Sequence, residues 1–124
     1  MRSLSRRLAA HGVPFGHWTF LRILWRRDGL TQRELSDEAG VMEPSTFAAI
    51  KAMERLGYVK RRRLPDNRKN VYVHLTAKGR ALEKKLVPLA EEVNEIGLRG
   101  FSARDRASVQ RALLRIIDNL SDDC

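Results

Sequence analysis

The chain has 124 residues, the size of one domain with a modest hydrophobic core, and it carries 24 Lys and Arg against 15 Asp and Glu. The formal net charge of +9 suits a polyanion such as DNA, RNA or an acidic membrane, although many soluble proteins are basic for no specific reason. No apolar run approaches the roughly 18 residues of a transmembrane helix, and the basic N-terminus lacks the apolar core of a signal peptide. The single cysteine, Cys124, has no partner for an internal disulfide. We therefore expect a cytoplasmic protein without a membrane partner.

Two helices are predicted in the N-terminal part. A short, weakly amphipathic segment, residues 3–11, is interrupted by Gly12-Val13-Pro14, because proline disfavours helical backbone in the residue before it. Residues 15–27 then form a helix with a broad apolar face, and Asp28-Gly29 ends it. The first two helices are therefore expected to be separate.

A third helix is predicted from Thr31 to Ala39. Thr31 and Glu34 have the spacing of a capping box, in which each residue bonds the other's backbone amide. Gly40 provides the turn after the helix. This segment is the first half of a predicted helix-turn-helix.

The fourth helix is predicted to run to about Leu56, with Pro44 in its first turn. Phe47, Ile50, Met53 and Leu56 would pack inward. A recognition helix needs short or hydrogen-bonding outward side chains so that its backbone can approach base edges, although a solvated helix surface can have the same composition. The two helices supply the predicted DNA contacts Gln32, Arg33, Pro44, Ser45, Thr46, Ala48, Ala49 and Lys51.

Two strands with a cationic turn follow, over residues 58–64 and 70–75. Residues 58–70 contain six basic residues and one acidic residue. Arg68 at the tip could enter a minor groove, and Asp66 could brace it, whereas the other cations should contact phosphates. An ordinary solvated hairpin is the alternative. The predicted wing contacts are Arg61, Arg62, Arg63, Asp66, Arg68 and Lys69.

The C-terminal part predicts two long apolar helices. Thr76 would cap the first, which runs to about Leu98 with Pro88 inside it, and Ser102 would cap the second. Their apolar stripes are large for a small monomer to expose, so two-fold pairing would bury them, although part could pack within one protomer. The predicted dimer contacts are Leu4, Leu8, Leu86, Leu89, Val93, Leu113, Ile116, Ile117 and Leu120.

These elements predict a single domain, residues 1–124, that is mainly α with a small β-hairpin wing. The architecture is a winged helix-turn-helix flanked by N- and C-terminal dimerisation helices. The DNA-binding lobe would cover about residues 16–76, and the helical dimerisation lobe about residues 1–14 and 77–124.

The segment from Gly16 to Gly79 resembles the MarR family of bacterial regulators. Four motifs carry the resemblance by their order and spacing: L-T-Q-R-E-L-S at residues 30–36, M-E-R-L-G-Y-V at 53–59, D-N-R at 66–68 and L-T-A-K-G at 75–79. The resemblance implies a homodimer on a pseudo-palindromic double-stranded DNA operator, and repression relieved by a small, often aromatic ligand. The family often has a polar or basic residue that contacts bases at the positions where this chain has Ala48 and Ala49.

The resemblance also implies that a ligand would lie near the second helix. Aromatic rings beside an arginine would suit an aromatic carboxylate, although the same residues could be core and surface. The candidate ligand residues are His17, Trp18, Arg22 and Trp25.

An enzyme is not expected. Three histidines and one cysteine lack the spacing of metal ligands, and no catalytic triad, phosphate-binding glycine loop or paired carboxylate motif is present. We therefore expect no cofactor and no metal. The remaining alternatives are a winged helix that binds RNA or a protein, and a nonspecific DNA-binding protein.

Overall fold

The computed structural model describes residues 2–122, without the side chains of Asn67 and Arg68, so Cys124 lies outside the described residues. The elements in chain order are α1 (Arg2–Ala10), α2 (Phe15–Arg26), β1 (Leu30–Thr31), α3 (Gln32–Ala39), α4 (Glu43–Arg55), β2 (Val59–Leu64), β3 (Asn67–Leu75), α5 (Ala77–Gly97) and α6 (Ala103–Asp122). The prediction of a mainly helical chain with a small hairpin is confirmed. No described helix is long and apolar enough to span a bilayer.

The sheet has three antiparallel strands in the order β1-β3-β2. The two-residue strand β1 was not predicted; it pairs Leu30 with Val73 and Thr31 with Tyr72. The hairpin pairs Val59 with Leu75 at its base and Leu64 with Asn67 at its end. Strand β3 therefore begins at Asn67, three residues before the predicted start, and extends the wing.

The predicted capping box at the start of α3 is confirmed. Glu34 N–H donates to Thr31 Oγ1, and Thr31 N–H donates to Glu34 Oε1, each at 3.0 Å. Thr31 is thus the last residue of β1 and the N-cap of α3. Gly40 ends the helix with φ +65°, a left-handed conformation that glycine adopts without the steric cost of a Cβ. This glycine makes the turn between α3 and α4.

The side of α4 that packs inward differs by one residue from the predicted side. Thr46, Ile50 and Met53 are buried, whereas Phe47 is 44% exposed and Leu56 is 42% exposed. The buried spacing of four and three residues is one helical face. The prediction that Phe47 and Leu56 pack in the core is therefore wrong.

Three residues predicted to form the dimer contact are instead buried within the protomer. Leu4 and Leu8 of α1 and Leu86 of α5 are at most 8% exposed, and α1 packs on α2. Their apolar area is already removed from water without a second chain, so these three predictions are corrected. Leu89 and Val93 are half-buried.

The chain divides into two compact units, residues up to 90 and residues from 91 onwards. In the second unit, the end of α5 and helix α6 enclose a groove of about 770 Å³, whose apolar lining includes Val93, Leu98, Val109 and Leu113. Arg106 bonds the Glu95 carboxylate at 3.1 Å across this helix pair. Ser102 Oγ accepts from Asp105 N–H at 3.1 Å, as expected of a cap.

Candidate nucleic-acid interface

The outward face of α4 has small or flexible side chains. Pro44, Ser45, Ala48 and Lys51 are exposed, and Ala49 is half-buried. The helix begins at Glu43, so Pro44 lies in its first turn, where no N–H is required. Because nothing bulky projects from Ser45 and Ala48, the backbone of this half-helix can approach a groove floor closely.

Thr46 does not belong to that outward face. Its side chain is fully buried, and Ser36 Oγ donates to Thr46 Oγ1 at 2.7 Å. The Thr46 hydroxyl in turn lies 3.4 Å from the carbonyl of Met42. The prediction that the Thr46 side chain contacts DNA is therefore corrected: it joins α3 to α4.

The start of α3 presents two of the predicted phosphate contacts. Arg33 is exposed. Gln32 is half-buried, and its Oε1 atom is enclosed with no hydrogen-bond partner in the part of the chain that the structure describes. Both lie in the first turn of α3, whose free N–H groups favour an anion.

The hairpin presents an exposed row of charges. Arg62, Arg63 and Lys69 are exposed, as is Asp66 in the turn. The side chain of Arg68 lies outside the described residues, so its predicted place at the wing tip stays a prediction. Arg62, Arg63 and Lys69 make no hydrogen bond or ion pair with the side chains that the structure describes, so they are available to phosphates.

Arg61 differs from its neighbours because it is held by Glu54 of α4. Its Nε donates to Glu54 Oε1 at 3.1 Å, and its backbone N–H donates to Oε2 at 3.3 Å. The hydrogen bond from Arg61 holds the pKa of Glu54 below its ordinary value. Arg61 therefore ties the wing to the recognition helix, beyond the phosphate contact predicted for it.

Phe47 is the residue that the sequence analysis missed at this surface. Its ring centroid lies 5.2 Å from Lys51 Nζ and 5.6 Å from Arg61 Cζ. An exposed aromatic ring between two cations is a cation–π arrangement. The sequence could have indicated that Phe47 is exposed only if the buried face of α4 had been assigned correctly.

The base of the wing is fixed to α2 and α5. Leu75 N–H and Arg80 each donate to the Asp28 carboxylate at 2.8 Å, and the Trp25 indole N–H donates to the Gly79 carbonyl at 3.0 Å. A Cβ on Gly79 would lie 2.1 Å from the Tyr58 carbonyl oxygen, so glycine is required for this close approach. These contacts hold the base of the hairpin against the C-terminal end of α2 and the start of α5.

Two of the four predicted ligand residues, Trp18 and Trp25, make contacts within the protomer. Trp18 is 5% exposed and packs edge-on against Trp25, with ring centroids 5.7 Å apart. Trp18 is therefore corrected to a core residue. Arg22 is exposed. Burial lowers the pKa of His17, and its Nδ1 atom has no hydrogen-bond partner among the described residues. Within residues 2–122, no group of three His, Cys, Asp or Glu side chains is placed to hold a metal.

Comparison with known proteins gives a consistent result. The sequence model of the MarR family matches residues 16–71. The crystal structure of a MarR transcriptional regulator from Methanosarcina mazei Go1 superposes with a TM-score of 0.93 at 30% identity, covering 98% of this chain and 88% of that one. This alignment extends well beyond the winged helix-turn-helix.

Two further similarities bear on the site. The chain is 28% identical over 122 residues to the HTH-type transcriptional regulator TtmR of Methylorubrum extorquens strain PA1, covering 98% of this chain and 60% of that relative. It therefore spans about three-fifths of TtmR. A MarR-family regulator from Listeria monocytogenes, solved in complex with a 26-mer DNA, has a TM-score of 0.85 at 23% identity, with 97% and 80% covered, and shows the shared fold.

Proposed function

Because the chain belongs to the MarR family of transcriptional regulators, which are not enzymes, we propose that it binds double-stranded DNA sequence-specifically as a homodimer and represses transcription. The site of action would be the cytoplasm, where bacterial regulators meet their operators. The relative from Listeria monocytogenes was solved with DNA, which supports duplex DNA as the partner here.

One observation carries the proposal: the small outward face of α4 lies beside a cationic hairpin in the same unit. Ser45 and Ala48 permit close approach to base edges, while Arg62, Arg63 and Lys69 are exposed for phosphates. The Glu54–Arg61 contact holds helix and hairpin together. A helix for the major groove and a wing for the adjacent backbone are what duplex recognition requires.

The dimer is supported by the apolar surface of α6. Leu113, Ile116 and Ile117 are more than half exposed, and no residue of α6 is buried. A second copy of the same helix would remove this area from water. Two-fold pairing would also place two recognition helices about one DNA turn, roughly 34 Å, apart on a pseudo-palindromic site.

Relief of repression by a small, aromatic ligand completes the proposal. Its support is the family resemblance together with two polar residues of α2. His17 has an enclosed Nδ1 that needs a donor or acceptor, and Arg22 is an exposed cation that could hold a carboxylate. Displacement of the protein from DNA by aromatic acids, measured in a binding assay, tests this step.

The main experiment is a gel-shift titration with the DNA upstream of the chain's own gene and with random duplex as competitor, at two salt concentrations. The proposal expects binding about 10³-fold tighter to the specific duplex than to the competitor. Equal binding to both, abolished by moderate salt, would leave only a cationic surface and refute sequence-specific regulation. Preference for a single-stranded RNA of the same sequence would indicate RNA recognition instead.

A further inference from the structure

Phe47 is a large apolar side chain on a surface otherwise composed of small residues and cations. We propose that Phe47 is a specificity-determining residue that contacts the 5-methyl group of thymine in the major groove. This inference rests on the proposed DNA binding and names part of its sequence preference.

The position of Phe47 places it at the groove-facing edge of α4. Thr46, Ile50 and Met53 define the buried side of the helix, and Phe47 lies near β2, since its ring centroid is 5.6 Å from Arg61 Cζ. With 44% of its surface exposed, the ring has apolar area still available to a partner. It lies one turn from the helix N-terminus, the part of a recognition helix that contacts base edges.

The Phe47 ring already lies close to two cations in the protein without DNA. Lys51, one turn further along α4, and Arg61, on β2, both lie within 6 Å of the ring centroid. Arg61 is in turn held by Glu54 through its Nε atom and its backbone N–H. A side chain held between two cations loses little conformational freedom on binding, which favours a selective contact.

The chemistry of the groove leaves one main target for this ring. Base edges in the major groove carry hydrogen-bond donors and acceptors, and the 5-methyl of thymine is the apolar group among them. Ala48, the next residue, adds a second apolar surface, and Ser45 is the small polar neighbour. The exposed face near the helix N-terminus is therefore suited to apolar recognition of thymine more than to bidentate reading of guanine.

The test removes single methyl groups from the DNA. The full-length chain first selects duplexes from a random pool, and each thymine of a selected duplex is then replaced singly by deoxyuridine. In fluorescence anisotropy, one particular thymine of each half-site, replaced on its own, should weaken wild-type binding about four-fold, the factor expected for one buried methyl group. Phe47→Ala should bind the unmodified duplex more weakly and be insensitive to the same replacement.

Two control variants separate recognition from a structural role of the ring. Phe47→Leu keeps an apolar side chain and should keep a dependence on the methyl group. Leu56→Ala removes a comparably exposed apolar side chain at the other end of α4 and should behave as the wild type. Circular dichroism would confirm that all three variants are folded.

The outcomes distinguish this inference from the function on which it rests. If the wild type selects no duplex sequence, the proposed sequence-specific function fails. If it selects one, but no thymine methyl matters, or if Phe47→Ala retains the full dependence on the methyl group, only the assignment of Phe47 is overturned.

Discussion

Ser36 of α3 and Thr46 of α4 join their hydroxyl groups across 2.7 Å in the interior of the helix-turn-helix. Both side chains are buried, so water cannot replace either partner. The contact fixes α4 against α3, and the direction of α4 determines which groups its outward residues can touch.

Thr46→Val should therefore destabilise the fold by about 1–3 kcal/mol, because it leaves the buried Ser36 hydroxyl without its partner. The double variant Ser36→Ala with Thr46→Val removes both polar groups and should recover part of this loss. Urea unfolding at one fixed protein concentration measures both. A single variant as stable as the wild type would contradict the assigned contact.

Glu34→Gln should reduce the loss of folding stability that occurs as the pH falls below neutral. Hydrogen bonds from Thr31, chiefly from its backbone N–H, hold the pKa of Glu34 below its ordinary value. A carboxylate whose pKa is lower in the folded state stabilises the fold above its unfolded pKa, and this contribution disappears as the pH falls through the folded value. Glutamine can accept the same capping bond at every pH.

Urea midpoints for the wild type and for Glu34→Gln, measured from pH 7 down to pH 3, test this prediction. The variant should be the less stable protein at pH 7, because it lacks the carboxylate charge, and it should lose less stability on acidification. Glu54 shifts in the same direction and remains in both proteins, so a residual slope is expected. Parallel profiles would refute the role of Glu34.

Gly79→Ala should destabilise the chain by about 1–3 kcal/mol or more, because overpacking against backbone cannot be relieved by a rotamer change. The added Cβ would lie 2.1 Å from the Tyr58 carbonyl oxygen. Gly16→Ala is the matched control, since it also lies in a helix and an added Cβ would meet no described atom within 4 Å beyond its chain neighbours and its own helix backbone. Similar thermal unfolding of the two variants would contradict the close approach.

Arg62→Ala should weaken DNA binding about equally for all sequences and reduce the slope of log K against log salt by about 1. Arg62 is exposed on the hairpin and is free to neutralise a phosphate. Arg104→Ala on α6 removes the same charge from the second unit and serves as the control. Equal slopes for the two variants would show that the hairpin does not contact the DNA backbone.

Leu113→Glu should yield folded monomers with weak operator binding, because a charge would then lie in the apolar row of α6. Leu113 is 56% exposed in the protomer, so its replacement does not disturb a core. Ala107→Glu, which is exposed about 120° round the same helix from Leu113, should remain dimeric. Light scattering gives the mass of each, and a dimeric Leu113→Glu protein would refute this interface.

Leu86→Glu tests whether this apolar residue is buried within its own protomer or lies in a dimer interface. Leu86 is fully buried within the protomer, so the charge should unfold the chain and not merely dissociate a dimer. Circular dichroism at 25 °C would distinguish these results. A folded monomer would return Leu86 to the dimer interface that its sequence spacing predicted.

Local signals in the sequence were sufficient for the helix caps and for the presence of the hairpin, although not for the start of β3 at Asn67. Thr31 and Glu34 are three residues apart, and their reciprocal bonds need no distant partner. Strand β1 could not be predicted in this way: Leu30-Thr31 is too short to show alternation and becomes a strand only by pairing with Val73 and Tyr72 of β3.

The errors at the candidate site have the same physical origin. An apolar row through Phe47 and Leu56 is compatible with the helical period, but the core accepts Thr46 because Ser36 supplies a hydrogen-bond partner from another helix. Likewise, an apolar stripe in the sequence does not indicate whether the same protomer or a second chain covers it. Leu8 is covered within its own protomer, whereas Leu113 is exposed.

The amide of Leu75 at the end of β3 donates to the carboxylate of Asp28, 47 residues earlier in the chain. Its exchange with solvent deuterium therefore requires that the end of α2 and the base of the hairpin come apart. One backbone proton thus reports how often this junction opens. An effector that altered α2 would change the deuterium uptake at Leu75, whether or not it touched the wing.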